Sequence, residues 1–286
     1  MAGGALRSLM ARDGLVVAPG AYDGLTARLV QSAGFPAVYM TGAGTSAAMG
    51  YPDYGLLTLT EMAANAGVIA RSVAIPLISD ADTGYGNELN VTRTVREFES
   101  RGVAALHIED QVSPKRCGHL VGKEVTSSEE FVSKIRAAVA ARRDPDFVII
   151  ARTDARAVLG FEEAVSRANA ALAAGADAAF VEAVESVEEL AAVPMRVQGP
   201  CLLNVVPGGR TPLIGKTEAR ALGYRIAIYP AASLLAVVTS VDEALSRLAT
   251  EDAPQQPTGD VLGAFYRRVG SEDWDALRNA FSGDAT

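Results

Sequence analysis

Five consecutive positions, Lys115, Arg116, Cys117, Gly118 and His119, supply a thiol, an imidazole, two cations and a flexible link. That is most of what proton transfer to or from carbon requires. Cations beside a thiol lower its pKa, so Cys117 is expected to exchange a proton near neutral pH. Just upstream an apolar run ends in His107, Glu109 and Asp110, and the loop therefore leaves the chain where carboxylates gather. Other apolar runs end alike: in Asp80 and Asp82, in Arg152 and Asp154, in Glu182, and in Asn204. So many acids at one end, with no matching cationic set, would repel each other unless something positive stood among them. Asp80, Asp82 and Glu109 accordingly suit a hard cation, Mg²⁺ or Mn²⁺, held by a few carboxylates and by water with positions left for a substrate. Arg152 suits bidentate holding of a carboxylate or phosphonate. Plainer readings stand beside these: a surface turn with a bystander cysteine, a hydrogen-bonded core histidine at 107, and aspartates that only cap the turn at Gly84 and Gly86.

Residues so far apart in the chain need a scaffold that collects strand ends. Eight apolar runs read as strands: Leu15 to Ala18, stopping at Pro19 and Gly20, then Ala37 to Met40, Ile75 to Ser79, Val103 to Ile108, Phe147 to Ala151, Ala178 to Val181, Cys201 to Val206 and Ile226 to Tyr229. Four of them follow a glycine, Gly34, Gly102, Gly175 or Gly223, placed where a left-handed residue ends a helix. Helical patterns fill the intervals, among them Asp23 to Ser32, Glu61 to Arg71, Thr92 to Arg101, Glu129 to Arg142, Phe161 to Ala174 and Leu234 to Leu248. Thr58 with Glu61, and Ser127 with Glu130, have capping-box spacing. Eight strand-helix units imply an α/β chain closed as a (β/α)8 TIM barrel over residues 1–250, with catalytic groups at the carboxyl ends of strands. Strand parity turns Asp80, His107, Glu109, Arg152, Glu182 and Asn204 inward together. An open doubly wound sheet is the alternative fold, and it would need the loose match at Thr41 to Gly44 to be a phosphate turn. Residues 251–286 read as a linker, Glu251 to Gly259, and C-terminal helices near Val261 to Arg268 and Asp273 to Phe281. Such a tail packs on its own barrel or on a sister subunit.

The 286 residues carry a net charge of −8 and two cysteines. The acidic balance argues against nucleic acid, and Cys117 and Cys201 do not make a disulfide framework, which points to a reducing cytoplasm. No apolar stretch is long enough to span a bilayer, and the first residues lack the features of a secretory signal. A small anionic carboxylate is the partner these features imply.

Four separated motifs, TGAGTSAAMGYPDYG from Thr41, DADTGYGN from Asp80, HIEDQVSPKRCGHLVGK from His107 and ARTDAR from Ala151, resemble the isocitrate lyase and phosphoenolpyruvate mutase superfamily. Within it the chain is most similar to the methylisocitrate lyase, dimethylmalate lyase and carboxyphosphonoenolpyruvate mutase branch. The resemblance implies Mg²⁺ dependence, a mobile loop bearing the cysteine, and a homotetramer, a dimer of dimers whose last helices swap between paired subunits. It makes Asp80, Asp82 and Glu109 the metal carboxylates, largely through water, and Thr41, Gly42 and Ala43 the cradle of the oxo-acid carboxylate. Relatives often carry Ser and Gly in place of Thr41 and Ala43. Arg152 would bind the same oxo acid, Tyr39, Asp53 and His107 would line the site, and Lys115, Cys117, Gly118 and His119 would form the lid. Glu182 and Asn204 would contact the other half of the substrate, and the cysteine would protonate the carbanion-like fragment.

The expected activity is a Mg²⁺-dependent carbon-carbon lyase cleaving a 2-hydroxy di- or tricarboxylate, of methylisocitrate or dimethylmalate type, to pyruvate or a related oxo acid. Val205 to Gly209 after Asn204 is apolar and small, which favours a methyl-bearing diacid. The alternatives are a carboxyphosphonoenolpyruvate-type phosphonomutase, an oxaloacetate decarboxylase, and a non-catalytic dicarboxylate sensor.

Overall fold

The computed structural model describes residues 2–251 and 258–281. Its eight strands are β1 (Val16–Ala21), β2 (Val38–Met40), β3 (Leu77–Asp80), β4 (Ala105–Glu109), β5 (Val148–Thr153), β6 (Ala178–Val181), β7 (Leu202–Asn204) and β8 (Ile226–Tyr229). They pair in parallel in the order β6-β5-β4-β3-β2-β1-β8-β7. A bridge between Ala179 and Cys201, with the Ala179 N–H donating to the Pro200 carbonyl at 2.9 Å, joins the two edges. The sheet is thus a nearly closed (β/α)8 barrel. The helices are α1 (Ala2–Ala11), α2 (Gly24–Ser32), α3 (Gly42–Ala48), α4 (Leu59–Ser72), α5 (Glu88–Ser100), α6 (Ser128–Ala141), α7 (Arg156–Leu159), α8 (Phe161–Ala173), α9 (Val187–Arg196), α10 (Lys216–Leu222), α11 (Ala232–Thr250), α12 (Val261–Arg268) and α13 (Ser271–Phe281).

Both faces of a parallel sheet must be covered, and they are. Ala18, Tyr39, Ile78, Ile150, Phe180 and Leu202 fill the lumen, where Leu6 of α1 joins them. Arg7 of α1 donates to the Asp146 carbonyl and pairs with Asp177 at 2.8 Å, so α1 sits at the amino ends of β5 and β6 and leaves the opposite end for chemistry. Between strands and helices lies a second layer that includes Val38, Leu77, Leu106, Phe98, Phe131 and Ile149.

Gly34, Gly102, Gly175 and Gly223 hold φ of +81°, +85°, +104° and +102°, as helix-ending glycines should. The Thr58–Glu61 capping box is complete. At Ser127 only half forms: its hydroxyl accepts from the Glu130 N–H, while the Glu130 carboxylate turns to Lys134 at 3.0 Å. β1 does not stop at Pro19. The ladder passes there from β8, which pairs Val16 to Pro19, to β2, which pairs Gly20 and Ala21, so the proline's missing N–H falls at the change of partner. Gly20 is needed because a Cβ would run into the Pro230 carbonyl. α3, α7, α9 and α10 have no counterpart in the sequence reading. α3 is built of Gly, Ala, Ser and Thr, and α9 carries Pro194, so neither shows a strong apolar period.

The chain divides into two compact units, Met1–Leu234 and Leu235–Thr286. The division falls inside α11. Of the expected linker, residues 252–257 lie outside the described residues. In the second unit α12 is capped by the Asp260 carboxylate, which accepts from the Gly263 N–H at 2.9 Å. Among the described residues no helix is long and apolar enough to cross a membrane.

Candidate active site

β3, β4 and β5 reach one or two residues past their apolar runs, which carries Asp80, Glu109 and Arg152 into the ladder. Asp80 stands in register with His107, and Glu109 with Arg152. The Arg152 guanidinium, 3.1 Å from Glu109, and the buried His107 imidazole, 3.7 Å from Asp80, make that extension stable where an isolated acid would fray the strand.

Asp80, Asp82 and Glu109 form an acid floor. The Asp82 N–H donates to Asp80 Oδ1 at 3.0 Å, and the Glu109 N–H to the Asp82 carbonyl at 2.9 Å. Asp82 holds a left-handed backbone, φ +45°, and so does Ala183, φ +56°, directly after Glu182. Such φ values are costly for side chains with a Cβ and collect at functional sites. The helix after the floor is capped by Asn87, which leaves Asp80 and Asp82 free of a capping role.

The loop that carries Cys117 brings its own cation to the floor. Lys115 Nζ lies 3.0 Å from Asp82 Oδ1 and closely against Asp53 Oδ1. This is the cationic partner that the strand ends alone did not reveal. Burial pushes Asp82 up to about 6 despite Lys115, because Asp80 and Asp53 compete for the same ammonium. Burial likewise raises Glu109 well above the carboxylate range, Arg152 notwithstanding. For Asp80 burial is outweighed by His107, Lys115 and Arg152, which hold it at about 2.

Whether this floor suits a cation is answered by its unspent acceptors. Among the described residues Asp82 Oδ1, Glu109 Oε1 and Glu109 Oε2 are buried without a hydrogen bond. Ion pairs reach Asp82 Oδ1, at 3.0 Å from Lys115, and Glu109 Oε2, at 3.1 Å from Arg152. Buried acceptors in such number fit a hard cation. Among the described residues no group of three or more His, Cys, Asp or Glu side chains is placed to hold an ion directly.

Arg152 is the other charged centre. Its guanidinium grips Asp154 Oδ2 at 2.9 Å and Oδ1 at 3.3 Å, and lies 3.1 Å from Glu109, 3.9 Å from Glu182 and 5.1 Å over the Phe180 ring. Glu182 in turn accepts from Asn204 Nδ2 at 3.1 Å and lies 3.3 Å from His119 Nε2. His107 is fully buried, 2.8 Å from Tyr39 Oη and 3.7 Å from Asp80. Burial lowers it to about 4, so it is neutral at pH 7.

A cavity of about 100 Å³, partly open to solvent, is lined by Tyr39, Thr41, Ala43, Asp53, Asp80, Cys117, Gly118, His119, Arg152, Glu182 and Asn204, with Val206, Pro230, Ala231 and Leu234 as an apolar wall. Lys115, Asp82, Glu109 and His107 stand behind this lining. Gly42 does too, and its N–H is given to Asp80 Oδ2 at 3.2 Å. Pro230, Ala231 and Leu234 were missed from sequence, because their apolar run starts a helix and looks like ordinary core.

The Cys117 thiol is a correction. Burial pushes it above its ordinary value, and the His119 N–H, Arg152 and Lys115 do not offset that, with Asp53 adding to the rise. The expected lowering fails because Lys115 spends its charge on Asp53 and Asp82, and Arg116 faces the Tyr54 ring at 5.8 Å. A protonated thiol is the form a general acid needs.

Gly118 makes the closest approach of the loop to the barrel. A Cβ there would stand 2.5 Å from Arg152 Nη2 and 2.7 Å from Glu182 Cγ. Both neighbours are buried and pinned, so the loop would have to retreat. Gly118→Ala is expected to lower kcat/KM by about 100-fold, since displacements near 1 Å at reacting groups have that effect. Circular dichroism should find the fold unchanged, and a fully active variant would show that the loop need not approach so closely.

Against known proteins, residues 6–249 match the phosphoenolpyruvate phosphomutase family. The chain is 50% identical over 248 residues to a 2,3-dimethylmalate lyase of Eubacterium barkeri, covering 86% of each chain. To a 2-methylisocitrate lyase of Aeropyrum pernix it is 45% identical over 273 residues, covering 94% of this chain and 88% of that one. Among solved structures, an oxaloacetate acetylhydrolase in complex with the inhibitor 3,3-difluorooxalacetate superposes with a TM-score of 0.95 at 42% identity, covering 100% of this chain and 98% of the other. A phosphonopyruvate hydrolase complexed with oxalate and Mg²⁺ superposes with a TM-score of 0.85 at 32% identity, covering 99% of both.

Proposed function

The chain belongs to the phosphoenolpyruvate phosphomutase family and is a carbon-carbon lyase of the isocitrate lyase and phosphoenolpyruvate mutase superfamily; we propose that its substrate is a 2-hydroxy dicarboxylate bearing a methyl group beside the scissile bond, of the dimethylmalate type. The observation that carries this reading is a cavity with a protonated thiol, a guanidinium and an apolar wall on one lining. Arg152 and the Thr41–Ala43 turn would hold the carboxylate of the oxo-acid half. Asn204 and His119, oriented by Glu182, would hold the other carboxylate, and Val206 and Leu234 would face the methyl group. A third carboxylate would have to lie against that wall, at a desolvation cost.

In the reaction the 2-hydroxyl gives its proton to a base, for which Asp53 is the cavity carboxylate that neither belongs to the acid floor nor, like Glu182, accepts from Asn204. The C2–C3 bond breaks, the hydroxyl carbon becomes the carbonyl of the oxo acid, and the electron pair passes to C3 and its carboxylate. Cys117 then delivers its proton to C3, which completes the second acid. Asp80, Asp82 and Glu109 would hold Mg²⁺, or Mn²⁺, largely through water, and the ion would supply positive charge to the oxo-acid fragment. Lys115 would keep Asp53 and the floor in place while the loop is closed.

Incubating the purified protein with 2,3-dimethylmalate, methylisocitrate, malate and oxaloacetate, with and without EDTA, tests this directly. Release of pyruvate is expected to be fastest from the dimethyl acid. Removing the 3-methyl group should lower kcat/KM by roughly 10- to 200-fold. EDTA should abolish turnover and added Mg²⁺ or Mn²⁺ restore it. Preference for the tricarboxylate would overturn the substrate assignment, and a new ³¹P resonance from a phosphonate substrate would replace the lyase reading with a mutase.

The assembly is read as a cytoplasmic homotetramer with the last helices exchanged between paired subunits. Its support is the row of exposed apolar side chains on the terminal helices, among them Leu245, Leu248, Leu262, Phe265, Trp274 and Phe281.

A further inference from the structure

The catalytic loop is pinched at its neck. The Val112 N–H donates to the Glu124 carbonyl at 2.9 Å and the Thr126 N–H to the Asp110 carbonyl at 2.8 Å, with Gln111 and Val125 bridged between them. Lys123 lies on the returning arm, its side chain only 1% exposed. The ammonium has two acceptors: Asp154 Oδ1 at 2.7 Å and the backbone carbonyl of Gly118, the residue next to Cys117. Asp154 is fixed to the barrel, since its N–H donates to Asp110 Oδ1 at 2.7 Å and Asp110 is itself held by Thr153 and Arg167 at 2.7 and 3.1 Å. The same carboxylate grips Arg152. One buried carboxylate is therefore shared between the guanidinium assigned to the substrate and the lysine that reaches the tip of the loop.

Burying a lysine removes both hydration and rotamer freedom, and nothing about folding a surface loop requires that. A loop that must close over a substrate and hold one thiol in place does require a tie from its tip to the rigid barrel. We propose that Lys123 is a positioning residue: a clamp that holds the tip of the catalytic loop down through the Gly118 carbonyl, with Cys117 turned into the cavity, and that sets Asp154 against Arg152. The proposal rests on the reading of Cys117 as the proton donor. Lys123 touches no reacting atom and acts through its two neighbours.

The test has one readout that needs no turnover. With the full-length, Mg²⁺-loaded protein, the rate at which iodoacetamide alkylates Cys117 is followed by peptide mass spectrometry, and the buried Cys201 serves as the internal control. Lys123→Met, which keeps the length of the side chain without its charge, is expected to expose Cys117 and raise that rate by about tenfold or more. It should lower kcat by about 100-fold with a smaller change in KM, as expected for a misplaced group, while Lys123→Arg recovers most of both. An alkylation rate equal to that of the unaltered protein would overturn the clamp. So would a Lys123→Met protein that does not fold beside a Lys123→Ala that also does not, since the residue would then be structural. Because alkylation is independent of substrate, its failure leaves the lyase assignment standing, and a protein without lyase activity leaves the clamp standing.

Discussion

Cys117→Ser is expected to reduce kcat by about 10²- to 10⁴-fold, the usual contribution of a positioned general acid, while the dissociation constant of the oxo acid changes little. A serine hydroxyl occupies nearly the same space but is a far weaker acid, so it cannot deliver a proton to C3 as the C2–C3 bond opens. Binding should survive because the carboxylate contacts proposed above are those of Arg152, Asn204 and the Thr41 turn. Steady-state kinetics with titration of pyruvate would check both halves. The pH profile adds a sign. A group that must be protonated loses function as pH rises through its pKa, and burial places Cys117 above its ordinary value of 9.0. The alkaline limb of kcat should therefore lie above pH 9 and vanish in the serine variant. An acidic limb, with kcat rising through pH 7 and lost in the serine variant, would mean that the thiol is activated as the loop's composition first suggested, and that it serves as a base.

The second large effect is at Arg152, where charge and geometry can be separated. Arg152→Ala leaves Asp154, Glu109 and Glu182 buried without their shared cation, and breaking buried pairs costs about 3–5 kcal/mol. For a barrel of this size that lowers the melting temperature by roughly 10 °C, alongside loss of activity. Arg152→Lys keeps the charge but not the planar fork that grips Asp154 through two nitrogens. Its stability should be close to that of the parent and its kcat/KM lower by about 100-fold. Calorimetry and kinetics on the pair would settle the role: a lysine variant with full activity would reduce Arg152 to a structural counter-ion.

Much of the barrel was legible because its signals are local. The four helix-ending glycines and the apolar runs are properties of a few neighbouring residues, and all eight strands form where such runs stand. Site residues on strand tips were legible for the same reason, since parity carries Asp80, Glu109 and Arg152 to one side. What sequence hid were contacts between segments distant along the chain. Lys115 meets Asp53 across 62 positions and Lys123 meets Asp154 across 31, and nothing in the KRCGHLVGK stretch tells which acid each lysine will find. The direction of the Cys117 shift was lost with them. Counting cations near a thiol is informative only if their charge is not already engaged, and here it is. Leu234 and Pro230 were unreadable for another reason: an apolar side chain on a cavity wall has the same sequence signature as one in the core.

The lysine on the catalytic loop has a consequence for the protein stripped of ions. Because Lys115 stands on the loop and lies among Asp53, Asp82 and their neighbours, the cluster neutralises part of its own repulsion with the loop in this position. Chelation should then silence the catalyst without unravelling the barrel, and the dormant protein should wait, shut and intact, for an ion to return.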